Sequence, residues 1–262
     1  AATQPVGLRE MFGSMTKSFH PGRAAQNGLT AALLASKNFT SADAGLEGKN
    51  GWAHVVSTEV KWDEITGGLG QRFELLLNTY KPFACGVVMH PTIDACLQLR
   101  AAEKLSADQI EKMDLAVHPL VLELTGKKTP QTGLEAKFSI YYAAAIAIVA
   151  GAAGPKQFTD AWARNAQVMA LRDRVTATAT PGIGEAQVRA AIILKDGRRL
   201  EKVITQVVGS VEKPMSDADL DAKFLDLADG VISGDRARRL LDLCRRVDAL
   251  PQAAAIAQAA GA

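Results

Sequence analysis

Excess charge is missing from this sequence of 262 residues: 30 lysines and arginines stand against 28 acidic residues, a net of +2. The basic residues are scattered rather than arrayed among aromatics, which make up only 5% of the chain, so no nucleic-acid partner is expected. The densest basic stretch, Arg236 to Arg246, flanks an apolar helical stripe and reads as a solvated face. Cysteine is scarce. Cys85, Cys96 and Cys244 are an odd number without metal-ligand spacing, which fits a reducing cytoplasm better than a disulfide framework. No apolar run is long enough to span a bilayer, so no membrane partner is expected; Tyr141 to Ala153 is alanine-rich but short and reads as a buried helix. The opening Ala-Ala-Thr-Gln-Pro lacks a basic region followed by an apolar core, so no signal peptide is expected.

Several cofactor and nucleophile signatures are also missing. Gly67-Gly68-Leu69-Gly70 and Gly182-Ile183-Gly184 lack the third glycine of a dinucleotide fingerprint. There is no phosphate-cradling Gly-x-x-x-x-Gly-Lys loop, no His-Glu-x-x-His pair for zinc and no Gly-x-Ser-x-Gly nucleophile elbow.

What the chain does contain is a repeated arrangement. In Gly13 to Ala24, Lys17 precedes His20 and Pro21, after which Ala24, Leu29, Ala32 and Leu33 recur at helical spacing. Proline is favoured at the first helical position, so the spacing predicts a helix from about Pro21. A helix start with free amides, a lysine and a histidine together make a site for a carboxylate. A solvent-facing lysine with a histidine capping the helix is the alternative. Lys81 to Pro91 repeats the pattern, ending in His90-Pro91 before a second helical period. The third pair, His118-Pro119, lies in a strand-like run from Leu115 to Leu124 and reads as structural.

The periodicity predicts three zones. Residues 1–80 are mostly helical, 81–211 mix strands and helices, and 212–262 return to helix. Val188, Ala190, Ile192 and Leu194 alternate as a strand, Asp196-Gly197 marks a hairpin turn, and Leu200 to Val208 returns as the next strand. Arg174 to Thr180 reads as a third strand. Ser216 with Asp219 has the spacing of a capping box.

Four segments carry a resemblance. Thr16 to Ala25, Lys81 to Ala95, Ala136-Lys137-Phe138-Ser139-Ile140-Tyr141-Tyr142, and Pro214 to Phe224 closely resemble the MmgE/PrpD family, in the family's order and across nearly the whole chain. That family includes 2-methylcitrate dehydratases, cis-aconitate decarboxylases and an iminodisuccinate epimerase, which handle small polycarboxylates without a metal or organic cofactor. The resemblance implies an α+β fold: an all-helical domain from residues 1–80 and 212–262, and an inserted α+β lid with an antiparallel sheet over 81–211. It implies a site in the cleft between them, a homodimer, and acid–base chemistry on a small di- or tricarboxylate. Dehydration ranks first, epimerisation second, and decarboxylation after these. Members are considerably longer, with the Lys17 motif near their middle, so the chain resembles a carboxy-terminal portion. A non-catalytic fragment lacking half the site is the competing reading.

The resemblance makes Lys17 the active-site lysine and Tyr142, at the end of Ser139-x-x-Tyr142, an acid–base phenol. Read from the residues alone, Tyr142 is a buried helix aromatic bonded to backbone, and Tyr141 is structural. By resemblance Lys81 binds a carboxylate. His90 is a catalytic candidate, and His20 and Arg23 are substrate-binding candidates, although each histidine reads equally well as a helix cap. At Gly86 the chain departs from decarboxylases of the family, which carry a histidine there.

Overall fold

The computed structural model describes residues 1–5 and 7–261. They fall into two compact units, the first ending at Asn78 and the second beginning at Thr79.

The first unit is helical, with α1 (Met15–Ala35), α2 (Trp52–Val56) and α3 (Trp62–Thr66). The two ends of this mostly helical zone hold only 3-10 turns, at Arg9–Met11 and Glu74–Leu77. Helix α1 begins six residues before Pro21, which lies inside it. A proline so close to the start removes one backbone donor, the partner of the Lys17 carbonyl four residues back, and leaves the rest of the helix intact. Lys17 therefore occupies the first turn of α1, and His20 does not cap it. Few side chains of this unit are buried: Ala53 is the only apolar one among the described residues.

The second unit holds α4 (His90–Glu103), β1 (Ile110–Val117), α5 (Pro119–Thr125), α6 (Gly133–Ala136), α7 (Ile140–Ala150), α8 (Asp160–Ala163) and α9 (Ala166–Arg172). Then come β2 (Val175–Ala179), β3 (Val188–Leu194) and β4 (Arg199–Ile204), followed by α10 (Asp217–Ala228), α11 (Gly234–Arg245) and α12 (Ala254–Ala260). The strand order is β2-β1-β3-β4. Strands β1, β3 and β4 are antiparallel, but β1 runs parallel to β2, with Met113 opposite Val175. The sheet is thus mixed rather than wholly antiparallel. A parallel pair needs a long crossover, and α5 to α9 supply it.

Local chemistry accounts for the ends of these elements. Gly197 takes a positive φ of 87° in the β3–β4 turn, where a side chain would strain the backbone. Ser216 and Asp219 form the reciprocal capping box of α10. The strand expected from Leu115 onward ends at Val117, because Pro119 starts α5 and His118 caps it: Nδ1 accepts the Leu120 amide at 3.1 Å.

Helix α7 is the centre of the core. Every residue from Ile140 to Ile148 is buried, as an apolar helix without a polar face must be. It packs against α4, α9 and β2, while α4 also covers β3 and β4. Gly151 ends α7 with φ 66°, and a Cβ there would stand 2.6 Å from Arg100 Nη1. Arg100 in turn donates from Nε to the Ile148 carbonyl at 2.8 Å. Helices α10 and α11 are joined by Arg245, which pairs with Asp217 and Asp221.

Candidate active-site residues

On α1, Lys17, His20 and Arg23 follow one another at three-residue steps, so successive members are surface neighbours. The Lys17 ammonium lies 5.0 Å from the centre of the Phe12 ring, a cation–π distance. Arg23 donates to Gln26 Oε1 at 2.8 Å, and His20 is half-buried. A lysine in the first turn opposes the helix dipole, whereas an anion beside it would be favoured by both.

In the second unit the Lys81–His90 segment forms a tight loop. The Lys81 ammonium donates to the Cys85 carbonyl at 3.3 Å, and the Gly86 amide donates to the Lys137 carbonyl at 3.1 Å. Lys223, arriving on α10, donates to the Lys81 carbonyl at 2.8 Å. His90 opens α4 and is only 2% exposed, with Phe83 edge-on at 5.3 Å. Met89, not His90, occupies the cap position.

Burial pushes the His90 pKa down to about 4, and the positive charges of Lys81 and Lys223 add to that, against the carbonyls of Cys85 and Phe83. The imidazole is therefore neutral at pH 7. Its Nε2 is buried without a hydrogen-bond partner among the described residues, and so is Asp94 Oδ2 one helical turn on. The other Asp94 oxygen accepts from Gln98 at 2.8 Å. Burial also raises the Cys85 thiol to about 12, despite the opposing Lys81 and Lys137, so it is not a nucleophile at pH 7.

Tyr142 is fully buried in α7. Its amide donates to Ser139 Oγ at 3.2 Å, so the Ser-x-x-Tyr spacing is also the spacing of a helix cap. Its hydroxyl donates to the Gln157 carbonyl at 2.5 Å, its ring tilts against Phe158, and burial raises its pKa. In this arrangement the phenol is a donor already in use, and releasing a proton from it is disfavoured.

The structure thus groups Lys81 and His90, and adds two residues that were not singled out from sequence, Lys223 and Asp94. A lysine far along the chain gives no local signal of its reach onto a histidine. Among the described residues, no three His, Cys, Asp or Glu side chains converge as a metal site.

The model of the MmgE/PrpD C-terminal domain matches residues 83–249, and that of the N-terminal domain matches residues 1–65. The chain is 24% identical to a cis-aconitate decarboxylase of Aspergillus terreus, over 95% of its own length and 56% of that protein. It is 24% identical to the cis-aconitate decarboxylase-like protein oryM of Aspergillus oryzae, over 92% of itself and 54% of that protein. It is also 24% identical to the Homo sapiens cis-aconitate decarboxylase, over 90% and 51%. It spans about half the length of these curated relatives. With the two domain models covering most of its residues, the chain belongs to the MmgE/PrpD family.

Proposed function

We propose that the chain forms part of an enzyme that dehydrates a small hydroxy di- or tricarboxylate by acid–base chemistry, without a metal or organic cofactor. The observation that supports this most is the position of Lys81 and Lys223 around a buried, neutral His90. Removing a proton beside a carboxylate builds negative charge that cations must stabilise. In this reading Lys81 takes a substrate carboxylate and its arrival raises the His90 pKa toward neutrality, where an imidazole exchanges protons most effectively. In the first unit, Lys17 is the candidate carboxylate-binding lysine at the start of α1, with His20 and Arg23 beside it. Tyr142 handles the leaving hydroxyl once its bond to Gln157 opens.

Decarboxylation is the second reading, supported by the names of the relatives. Against it stands Gly86, where a Cβ would lie 3.2 Å from Thr125 Cγ2, so a histidine there would require that methyl to move. Epimerisation uses the same proton chemistry without the leaving group. We also propose that the protein works as a homodimer in the cytoplasm; among the described residues no helix is long and apolar enough to cross a membrane.

Titration calorimetry with tricarballylate, an unreactive tricarboxylate, tests the reading. The expected result is binding that weakens about ten-fold or more in Lys81→Met, the usual effect of losing a charge-assisted contact. Binding unchanged by Lys81→Met would overturn it.

A further inference from the structure

A cavity of about 390 Å³ opens in the second unit, and none of the six candidate site residues lines it. That volume is within the range of small-molecule sites. Its walls come from the start of α7, the segment after α5, and the turn from α9 into β2, and they include Lys128, Thr129, Tyr141, Arg172, Asp173 and Thr176.

Two of the lining side chains are polar and deeply buried. Tyr141 is 8% exposed, and its hydroxyl has no hydrogen-bond partner among the described residues. Its neighbour Tyr142 spends its hydroxyl on Gln157 instead, so the two adjacent phenols face different surroundings. Arg172 is 5% exposed, and both its Nε and Nη2 donate to one oxygen of Asp173, at 2.9 and 2.7 Å. Nη1 keeps its donors uncommitted among the described residues. Lys128 is exposed on the rim and makes no ion pair with any described residue, whereas the neighbouring Lys127 is bound to Glu135.

A buried guanidinium is retained only when paired, and Asp173 does this with a single oxygen. Two cations against one carboxylate leave the cavity one unit positive. A guanidinium edge, an ammonium and a phenol O–H then present donors without acceptors inside the protein to use them. That combination fits an oxyanion, to which each donor gives a charge-assisted hydrogen bond.

We propose that this cavity is an anion-binding site, in which Lys128 and Arg172 hold a small oxyanion and Tyr141 donates to it. The oxyanion is a carboxylate or a phosphate, and Asp173 positions Arg172 rather than contacting the ligand. The site is separate from the Lys81–His90 loop and does not depend on the reaction proposed above.

Two probes separate the sources: inorganic phosphate and acetate, each titrated into the chain while amide shifts are followed by NMR. One of the two is expected to shift Thr129, Tyr141 and Thr176 saturably, and the one that does identifies the class. Lys128→Gln should weaken that binding about ten-fold and Tyr141→Phe about five-fold, the usual ranges for charged and neutral hydrogen bonds. Both variants should fold, because Lys128 is exposed and the Tyr141 oxygen has no internal partner. Lys195→Gln, at an exposed lysine outside the cavity, should bind as wild type. The proposal is overturned if neither probe binds saturably, or if Lys128→Gln or Tyr141→Phe binds as tightly as wild type.

Discussion

The hydroxyl of Tyr142 donates to the backbone carbonyl of Gln157 at 2.5 Å, joining the central helix α7 to the 3-10 turn that precedes α8. The bond has a stability consequence apart from any catalytic one. Tyr142→Phe leaves that carbonyl without its donor, and the expected cost is about 1–2 kcal/mol in urea unfolding. In the active enzyme the same change should lower turnover by roughly a hundred-fold, the range of a lost acid–base group. Unchanged stability would show that the bond contributes nothing, and unchanged turnover would make Tyr142 a core residue only.

Stability should depend on pH through His90. Its folded value of about 4 lies below the usual 6.5, so between these values the unfolded chain holds a proton that the folded protein does not. The contribution of neutral His90 is complete above about pH 6.5 and declines as pH falls toward 4, by roughly 3 kcal/mol at most. Urea midpoints across that window should fall with acidity, and His90→Gln should flatten the slope. An equal slope in the variant would contradict the burial argument.

His118 provides a structural comparison. It caps α5, and His118→Ala should cost about 1 kcal/mol by loss of that cap while turnover stays near wild type. A folded but inactive His118→Ala protein would move the site to the start of α5.

The first unit leaves large apolar side chains in water, among them Met15 at 84% exposure and Leu76 at 83%. Exposed apolar surface on that scale marks an interface or an aggregation liability. This chain by itself should self-associate in sedimentation velocity and bind an apolar-surface dye. A clean monomer without dye binding would contradict this.

Local chemistry was the readable part of the sequence. Asp196-Gly197 specified the β3–β4 hairpin, and Ser216 with Asp219 specified the start of α10, because each signal lies within a few residues of its effect. The parallel β1–β2 pair was not readable. Strand β1 opens with exposed Glu111 and Lys112 and an irregular register between Ile110 and Lys112, which breaks the alternation that reveals a strand. Its partner is reached by a long crossover and leaves no hairpin signal. Pro21 misled for a different reason: a proline early in α1 costs one hydrogen bond and does not set the boundary. The two Lys…His-Pro segments were visible as motifs. The reach of Lys223 onto His90, the unpartnered Asp94 oxygen and the open hydroxyl of Tyr141 depend on packing between distant segments.

The most direct measurement follows proton NMR spectra in D2O while the full-length gene product acts on citrate and 2-methylcitrate. The expected result is a vinyl or olefinic product formed with loss of water, abolished by Lys17→Met and slowed roughly a hundred-fold by Tyr142→Phe. Carbon dioxide release from cis-aconitate with no dehydration of either hydroxy acid would contradict it, as would dehydration that persists unchanged in Lys17→Met.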